Sequence, residues 1–202
     1  MDGARRYHHG DLRTALLAAG EAELAEVGPE GFSLRSVARR AGVSHAAPAH
    51  HFGDVRGLLT ALAARGFERL LARQAERAAA ADPDPRAQLL AYGLAYCDFA
   101  REDLALFRLC FASALPDGDD PALRAASEEA FDRMARGVAA VTGGPAYGDA
   151  GAMADAWRVW GLAHGLADLL AAGRMWSVAA LPPAERDALV ARILEPVLPA
   201  GG

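Results

Sequence analysis

Residues 33–52 read SLRSVARRAGVSHAAPAHHF, two short helices joined by a very tight turn. Leu34, Val37, Ala38 and Ala41 fall at i, i+3, i+4 and i+7, which is one apolar face of a helix. Ser33 stands where an N-cap belongs, and Gly42 follows the periodic run, where a helix end favours a residue that tolerates positive φ. Val43 offers one buried anchor, and Ser44 is placed to cap a second helix over residues 44–51. This grammar is a helix-turn-helix, which lays a short helix into the major groove of duplex DNA. The same bare pattern also describes an ordinary corner in an all-helical protein, so the rest of the chain has to support the reading.

The remaining segments carry helical periodicity and no alternating strand pattern, which predicts an all-α fold of about nine helices. Leu12, Leu16, Gly20, Leu24 and Val27 step by three or four, predicting a first helix over residues 11–27 that Gly28-Pro29 stops. After the helix-turn-helix pair, Asp54 is placed to cap a fourth helix reaching toward residue 80. The Asp82-Pro83-Asp84-Pro85 stretch is a break. Further helices are expected over 86–100, 103–112, from Pro121 behind Asp120 to before Gly143, over 152–172, and from Pro182-Pro183 to near Pro196. The expected organisation is a three-helix DNA-binding domain over residues 1–53 and a helical bundle over 54–202 for ligand binding and dimerisation. The fourth helix belongs to both, so movement in the bundle is expected to tilt the DNA reader.

The formal net charge of −5 argues against blanket affinity for nucleic acid, so the placement of charge matters more than its total. All 21 basic residues are arginine; there is no lysine. Residues 33–56 carry four arginines against one acid, so the basic surplus lies on the expected reader. Cys97 and Cys110 form neither a disulfide framework nor a metal cluster and read as small buried hydrophobes. The charged, His-rich start does not read as a signal peptide. No uncharged apolar run approaches the roughly 20 residues of a membrane span. A cytoplasmic protein with no membrane partner is expected.

Three features favour DNA binding over the bare helical corner. The unit is N-terminal. Arg5 and Arg6 precede the first helix as a basic arm suited to phosphates or the minor groove. The second helix of the pair is short, small and polar, with His45, Ala46, Ala47, His50 and His51, whereas a core helix is more apolar. Small residues let a helix sit deep in the groove, where Ala methyls meet thymine methyls. The expected DNA-facing set is Arg5, Arg6, Ser33, Arg35, Arg40, Ser44, His45, Ala46, Ala47, His50 and Arg56. Pro48 falls in the first helical turn, where it costs little. Phe52 reads as core that locks the reading helix onto the first helix. The pairs His8-His9 and His50-His51 are adjacent, diverge on a helix and have no Cys or carboxylate at ligand spacing beside them, so no metal is assigned.

Residues 7–13 (YHHGDLR), Gly28, residues 33–48 (SLRSVARRAGVSHAAP), His51-Phe52 and Leu58-Leu59 together resemble the DNA-binding domain of the TetR family of bacterial repressors. The YHHGDLR and VSHAAP pieces are similar to one branch, whose C-terminal domain is named for a Trp, a His and a Gly. Here WGLAHG supplies Trp160, His164 and Gly165. Two departures stand out. Family members usually carry a Tyr two residues before the His-Phe pair and a Lys in the turn after it; this chain has Ala49 and Val55. By resemblance both groups contact phosphates, so their loss implies modest affinity with a shallow salt dependence. His50 and Arg56 are placed to replace them in part.

Residues 152–172 are apolar nearly all round, with Met153, Trp157, Trp160, His164 and Ala167 on one side and Val159, Leu162, Leu166 and Leu169 on the other. Such a helix is buried on two sides. Gly161 and Gly165, four apart, allow close helix approach. A homodimer that pairs the eighth and ninth helices is expected, which matches a palindromic operator and agrees with the resemblance. The aromatics of the bundle read individually as core. Together Tyr92, Tyr96, Phe107, Phe111, Trp157, Trp160 and His164 outline a candidate pocket, with Phe99 beside them. By resemblance this pocket takes a small effector, which shifts DNA-competent against incompetent states. No phosphate loop, nucleophile elbow or metal cluster points to an enzyme, and no cofactor is assigned. The function expected is a ligand-responsive repressor. The competing reading is a helical effector-binding or adaptor protein that has lost DNA binding.

Overall fold

Ten α-helices and one 3-10 turn make up the regular structure of the computed structural model, which describes residues 9–199, with side chains from Leu12 onward. They are α1 (His9–Val27), α2 (Leu34–Ala41), α3 (Ala47–Phe52), α4 (Val55–Ala80), α5 (Pro85–Glu102), α6 (Leu104–Ala112), α7 (Pro121–Thr142), α8 (Ala150–Ala171), α9 (Trp176–Ala179) and α10 (Pro183–Leu194), followed by the turn Glu195–Val197. The all-α reading holds. The helix that the sequence did not announce is α9, one turn long and too short for a periodicity to register.

Side-chain chemistry fixes the helix starts. Asp84 accepts the N–H of Ala87 at 3.0 Å and Pro85 occupies the first turn of α5. Asp120 accepts the N–H groups of Ala122 and Leu123, each at 2.9 Å, and Asp149 accepts that of Ala152 at 2.9 Å. Asp54 accepts the N–H of Gly57 at 2.8 Å at the start of α4. Each satisfies a donor that a helix N-terminus otherwise leaves open.

The chain divides into two compact units, one of Met1–Gly66 with Ala105–Arg124, the other of Phe67–Leu104 with Ala125–Gly202. In the first unit α1 packs on α2 and α2 on α3. Its core holds Leu16, Leu24, Phe32, Val37, Ala38, Leu58, Leu59 and Leu62. Arg40 of α2 reaches back to α1, donating to Glu23 at 3.1 Å and also to Glu26. The Glu23 side chain is only 6% exposed, so this pairing neutralises a carboxylate inside the unit. From α6, the Cys110 thiol donates to the Ala63 carbonyl at 3.3 Å.

In the second unit α5 packs on α8 and α10. A core of Leu89, Met134, Val138, Val141, Ala156, Val159 and Leu198 is flanked by Tyr92, Phe131 and Trp160. Arg69, Arg73 and Arg77, four apart on α4, grip the end of α5. Arg69 pairs with Asp103 at 2.6 Å, Arg73 with Asp103 at 2.8 Å and Glu102 at 2.6 Å, and Arg77 with Asp98 at 2.6 Å and Asp187 of α10 at 2.8 Å. Arg86 donates to the carbonyls of Glu195, Leu198 and Pro199, tying the last turn to α5. Burial pushes the Cys97 and Cys110 thiols up to about 12, which makes both inert near neutral pH.

Gly57 lies in the first turn of α4, where a helix ordinarily prefers Ala. A Cβ there would lie well inside contact distance of the Phe52 carbonyl oxygen, the last residue of α3. Only glycine lets α3 end against the α4 backbone. Gly57→Ala is therefore expected to destabilise the protein by about 2–3 kcal/mol, despite a helix propensity better by about 1 kcal/mol. Urea or thermal denaturation measures this, and a variant as stable as the wild type refutes it.

Candidate functional site

The helix-turn-helix is built as its residues predict up to the turn. Ser33 is in extended backbone and its hydroxyl accepts the N–H of Ser36 at 3.2 Å, an N-cap for α2. Gly42 has φ 69°, its N–H bonds the Arg39 carbonyl and the Val43 N–H bonds that of Ala38. These bonds satisfy the end of α2.

Beyond the turn the structure corrects the sequence. α3 runs from Ala47 to Phe52, with Ala46 at its cap position and no side-chain cap. Ser44 lies in the turn, where its carbonyl, and not its hydroxyl, accepts the N–H of Ala47 at 3.0 Å. With Pro48 at the second helical position, the first turn of α3 begins two residues later than a Ser44 cap requires. Phe52 is half-buried, not core. It still joins α3 to α1, because the Arg13 guanidinium lies 5.2 Å over its ring.

The expected DNA-facing residues separate into distinct groups. Arg35, Ser44, His45, Ala46 and His50 are exposed. Ala47 is half-buried, and Ser33 is half-buried with its hydroxyl donating to Ser36 Oγ at 3.0 Å. Arg40 is held by Glu26 and Glu23, whose hydrogen bonds raise its guanidinium above the ordinary value. Arg56 is exposed but pairs with Asp117 at 3.0 Å. Arg5 and Arg6 lie outside the described residues. Arg39, which the sequence reading passed over, shares the outer face of α2 with Arg35, one turn away. Spacing held the signal: Arg35 and Arg39 are i and i+4, whereas Arg40 lies one residue round the helix. His50 is exposed and its ring stands edge-on to that of His51, 5.5 Å away.

The candidate pocket residues do not all fall in one unit. Phe107 and Phe111, with rings 5.3 Å apart, belong to the first; Tyr92, Tyr96, Trp157, Trp160 and His164 belong to the second. There the aromatics form a chain. Tyr96 Oη lies 2.8 Å from His164 Nδ1, and the His164 ring stacks on Trp160 at 5.1 Å and 25°. Trp160 meets Trp157 edge-on at 5.4 Å, and Trp157 meets Phe131 at 5.1 Å. Tyr96 is buried, whereas Trp157 is 51% exposed. The division of α8 also differs from the two predicted faces. Ala156, Val159, Ala163, Leu166, Ala167 and Leu170 are buried, while Trp157, Gly161, Gly165 and Leu169 form an exposed stripe at four-residue spacing.

Burial pushes His164 below its ordinary value of 6.5, opposed by the charge of Asp168. The unfolded chain therefore takes up this proton more readily than the folded one, and the stability that a neutral His164 contributes is lost as pH falls through the unfolded value. Acidifying from about pH 7.5 to about 5.5 is expected to lower the Tm of the wild type more than that of His164→Gln. Parallel Tm-against-pH curves for the two would refute this.

Two family models match the chain. Residues 16–62 match one described as "Bacterial regulatory proteins, tetR family", and residues 89–197 match "Tetracyclin repressor-like, C-terminal domain". The second does not carry the Trp-His-Gly designation. The HTH-type transcriptional regulator BetI of Burkholderia mallei is 34% identical over 112 residues, covering 55% of this chain and 57% of BetI. The match thus spans little more than half the length of that curated relative. Among solved structures, a protein of unknown function from Rhodococcus sp. RHA1 is 35% identical, with a TM-score of 0.76 over 96% of this chain and 98% of its own. A transcriptional regulator from the same source is 26% identical, with a TM-score of 0.64 over 92% and 95%. With both its reader and the greater part of its helical bundle matched, the chain belongs to the TetR family of bacterial regulatory proteins.

Proposed function

We propose that the chain is a ligand-responsive DNA-binding transcriptional regulator, a repressor released from a palindromic operator by a small effector. The observation that carries this is the capped helix-turn-helix whose outer surface offers Arg35, Arg39, His45 and His50 to solvent. Residues 1–53 read DNA and residues 54–202 hold the effector and the dimer contact. The aromatic chain from Tyr96 to Trp157 supports an apolar effector site with a few polar handles. Among the described residues no helix is long and apolar enough to cross a membrane, and the protein works in the cytoplasm, where its operator lies.

A gel shift on the DNA upstream of its own gene tests the reading. Arg39→Ala and His45→Ala are each expected to weaken the shift with Tm unchanged. Arg40→Ala is not a clean test, since it strips a partner from Glu23. Ala49 and Val55 favour a shallow salt dependence, and a slope as steep as that of about ten phosphate contacts contradicts it. Those same two residues, with Arg40 and Arg56 both paired internally, favour the second reading of an effector-binding protein without operator binding. No sequence-specific shift at low salt would decide for the latter.

The dimer is proposed to form through α8 and α10. The support is the stripe of Trp157, Gly161, Gly165 and Leu169, with Trp157 51% and Leu169 41% exposed, and Trp176 75% exposed beyond it. A Cβ added at Gly161 or Gly165 meets nothing within 4 Å, so side chains there disturb only a partner. The double variant Gly161→Leu/Gly165→Leu is expected to sediment as a monomer with an unchanged circular dichroism spectrum. A folded variant that remains dimeric places the interface elsewhere.

A further inference from the structure

We infer that Asp117 is an affinity-setting residue of the DNA-binding unit: it holds the Arg56 guanidinium against the protein, in competition with a DNA phosphate. The inference rests on the DNA-binding reading above and adds a residue far from the reader in sequence.

Arg56 sits in the first turn of α4, four residues after the end of α3, and its side chain is 60% exposed. It is a cation beside the C-terminal end of the reading helix. Its Nη2 donates to Asp117 Oδ1 at 3.0 Å. Asp117 lies in the loop between α6 and α7, and both residues fall in the same compact unit. The loop does not place this carboxylate by chance. The Asp117 N–H donates to the buried Thr60 hydroxyl at 2.8 Å, and that hydroxyl donates to the Arg56 carbonyl at 2.8 Å. One side chain thus fixes the backbone of both partners and sets the carboxylate within reach of the guanidinium.

A carboxylate and a phosphate oxygen offer the same acceptor geometry to an arginine fork. The pair is exposed and correspondingly weak, so a phosphate competes for Arg56 but does not gain it freely. The apparent affinity for any duplex is set by this competition, because phosphate contacts act independently of sequence. A change in the 113–120 loop that withdrew Asp117 would hand Arg56 to DNA.

The test uses the full chain and a 40-base-pair duplex of mixed sequence, with binding measured across a salt series. Asp117→Asn keeps the backbone N–H on Thr60 and removes the charge. It is expected to tighten binding about two- to fivefold and to steepen the slope of log K against log salt by about 0.9, one added phosphate contact. Asp119→Asn removes a neighbouring charge in the same loop and is expected to change neither by a comparable amount. In an Arg56→Ala background Asp117→Asn is expected to have no effect. If Asp117→Asn changes nothing, or acts equally with and without Arg56, the competition is refuted. If the wild type binds no duplex at low salt, the DNA-binding reading itself fails, and that outcome is separate from the first.

Discussion

The second unit depends on a ladder of guanidinium groups. Arg69, Arg73 and Arg77 rise along one face of α4 at the spacing that stacks side chains on a helix, and each meets carboxylates at the C-terminal end of α5. Asp103 is 10% exposed and shared by two arginines. Burial works against the charge on Arg73, but its hydrogen bonds to Asp103 and Glu102 outweigh this and hold it above its ordinary value. Removing one member would leave a partly buried ion without a partner, a larger loss than the pair's own attraction. Asp187 extends the ladder to α10 through Arg77, so three helices share one electrostatic seam. A chain whose every cation is arginine suits this arrangement, because a guanidinium fork serves two carboxylates at once where an ammonium presents a point charge.

Local rules made most of the fold legible in the sequence. Ser33, Asp54, Asp84, Asp120 and Asp149 stand at helix starts, and Gly28 and Gly42 take positive φ at helix ends. All these are decided within a few residues of the chain. Errors arose where tertiary neighbours decide. Nothing near Arg40 in sequence reveals that Glu23 and Glu26 lie a turn apart on α1 and claim it. Likewise Trp157 shows the same periodicity as a core aromatic, yet lies on the exposed side of α8. Ser44 misled for a local reason: Pro48, which suits the first turn of a helix, sets the start of α3 later, at Ala47.

In the first unit, charge is mostly committed to architecture. Arg13 covers Phe52, Arg40 neutralises a buried carboxylate, Arg56 meets Asp117 and Arg65 meets Glu21 at 2.6 Å. What faces outward from α2 is Arg35 and Arg39. An acidic protein that touches DNA gains from such economy. A small exposed basic surface on a repulsive whole discourages attachment to arbitrary duplex, and leaves discrimination to the few side chains that reach base edges.

Gly57 has a mechanical meaning beyond stability. Because the Phe52 carbonyl abuts the α4 backbone with no side chain between them, α3 and the first turn of α4 meet like two meshed gears with no backlash. A compressible side chain at that joint would absorb a small rotation before passing it on. Bare backbone leaves less slack, so a movement at the start of α4 that presses on this joint is passed to the end of α3.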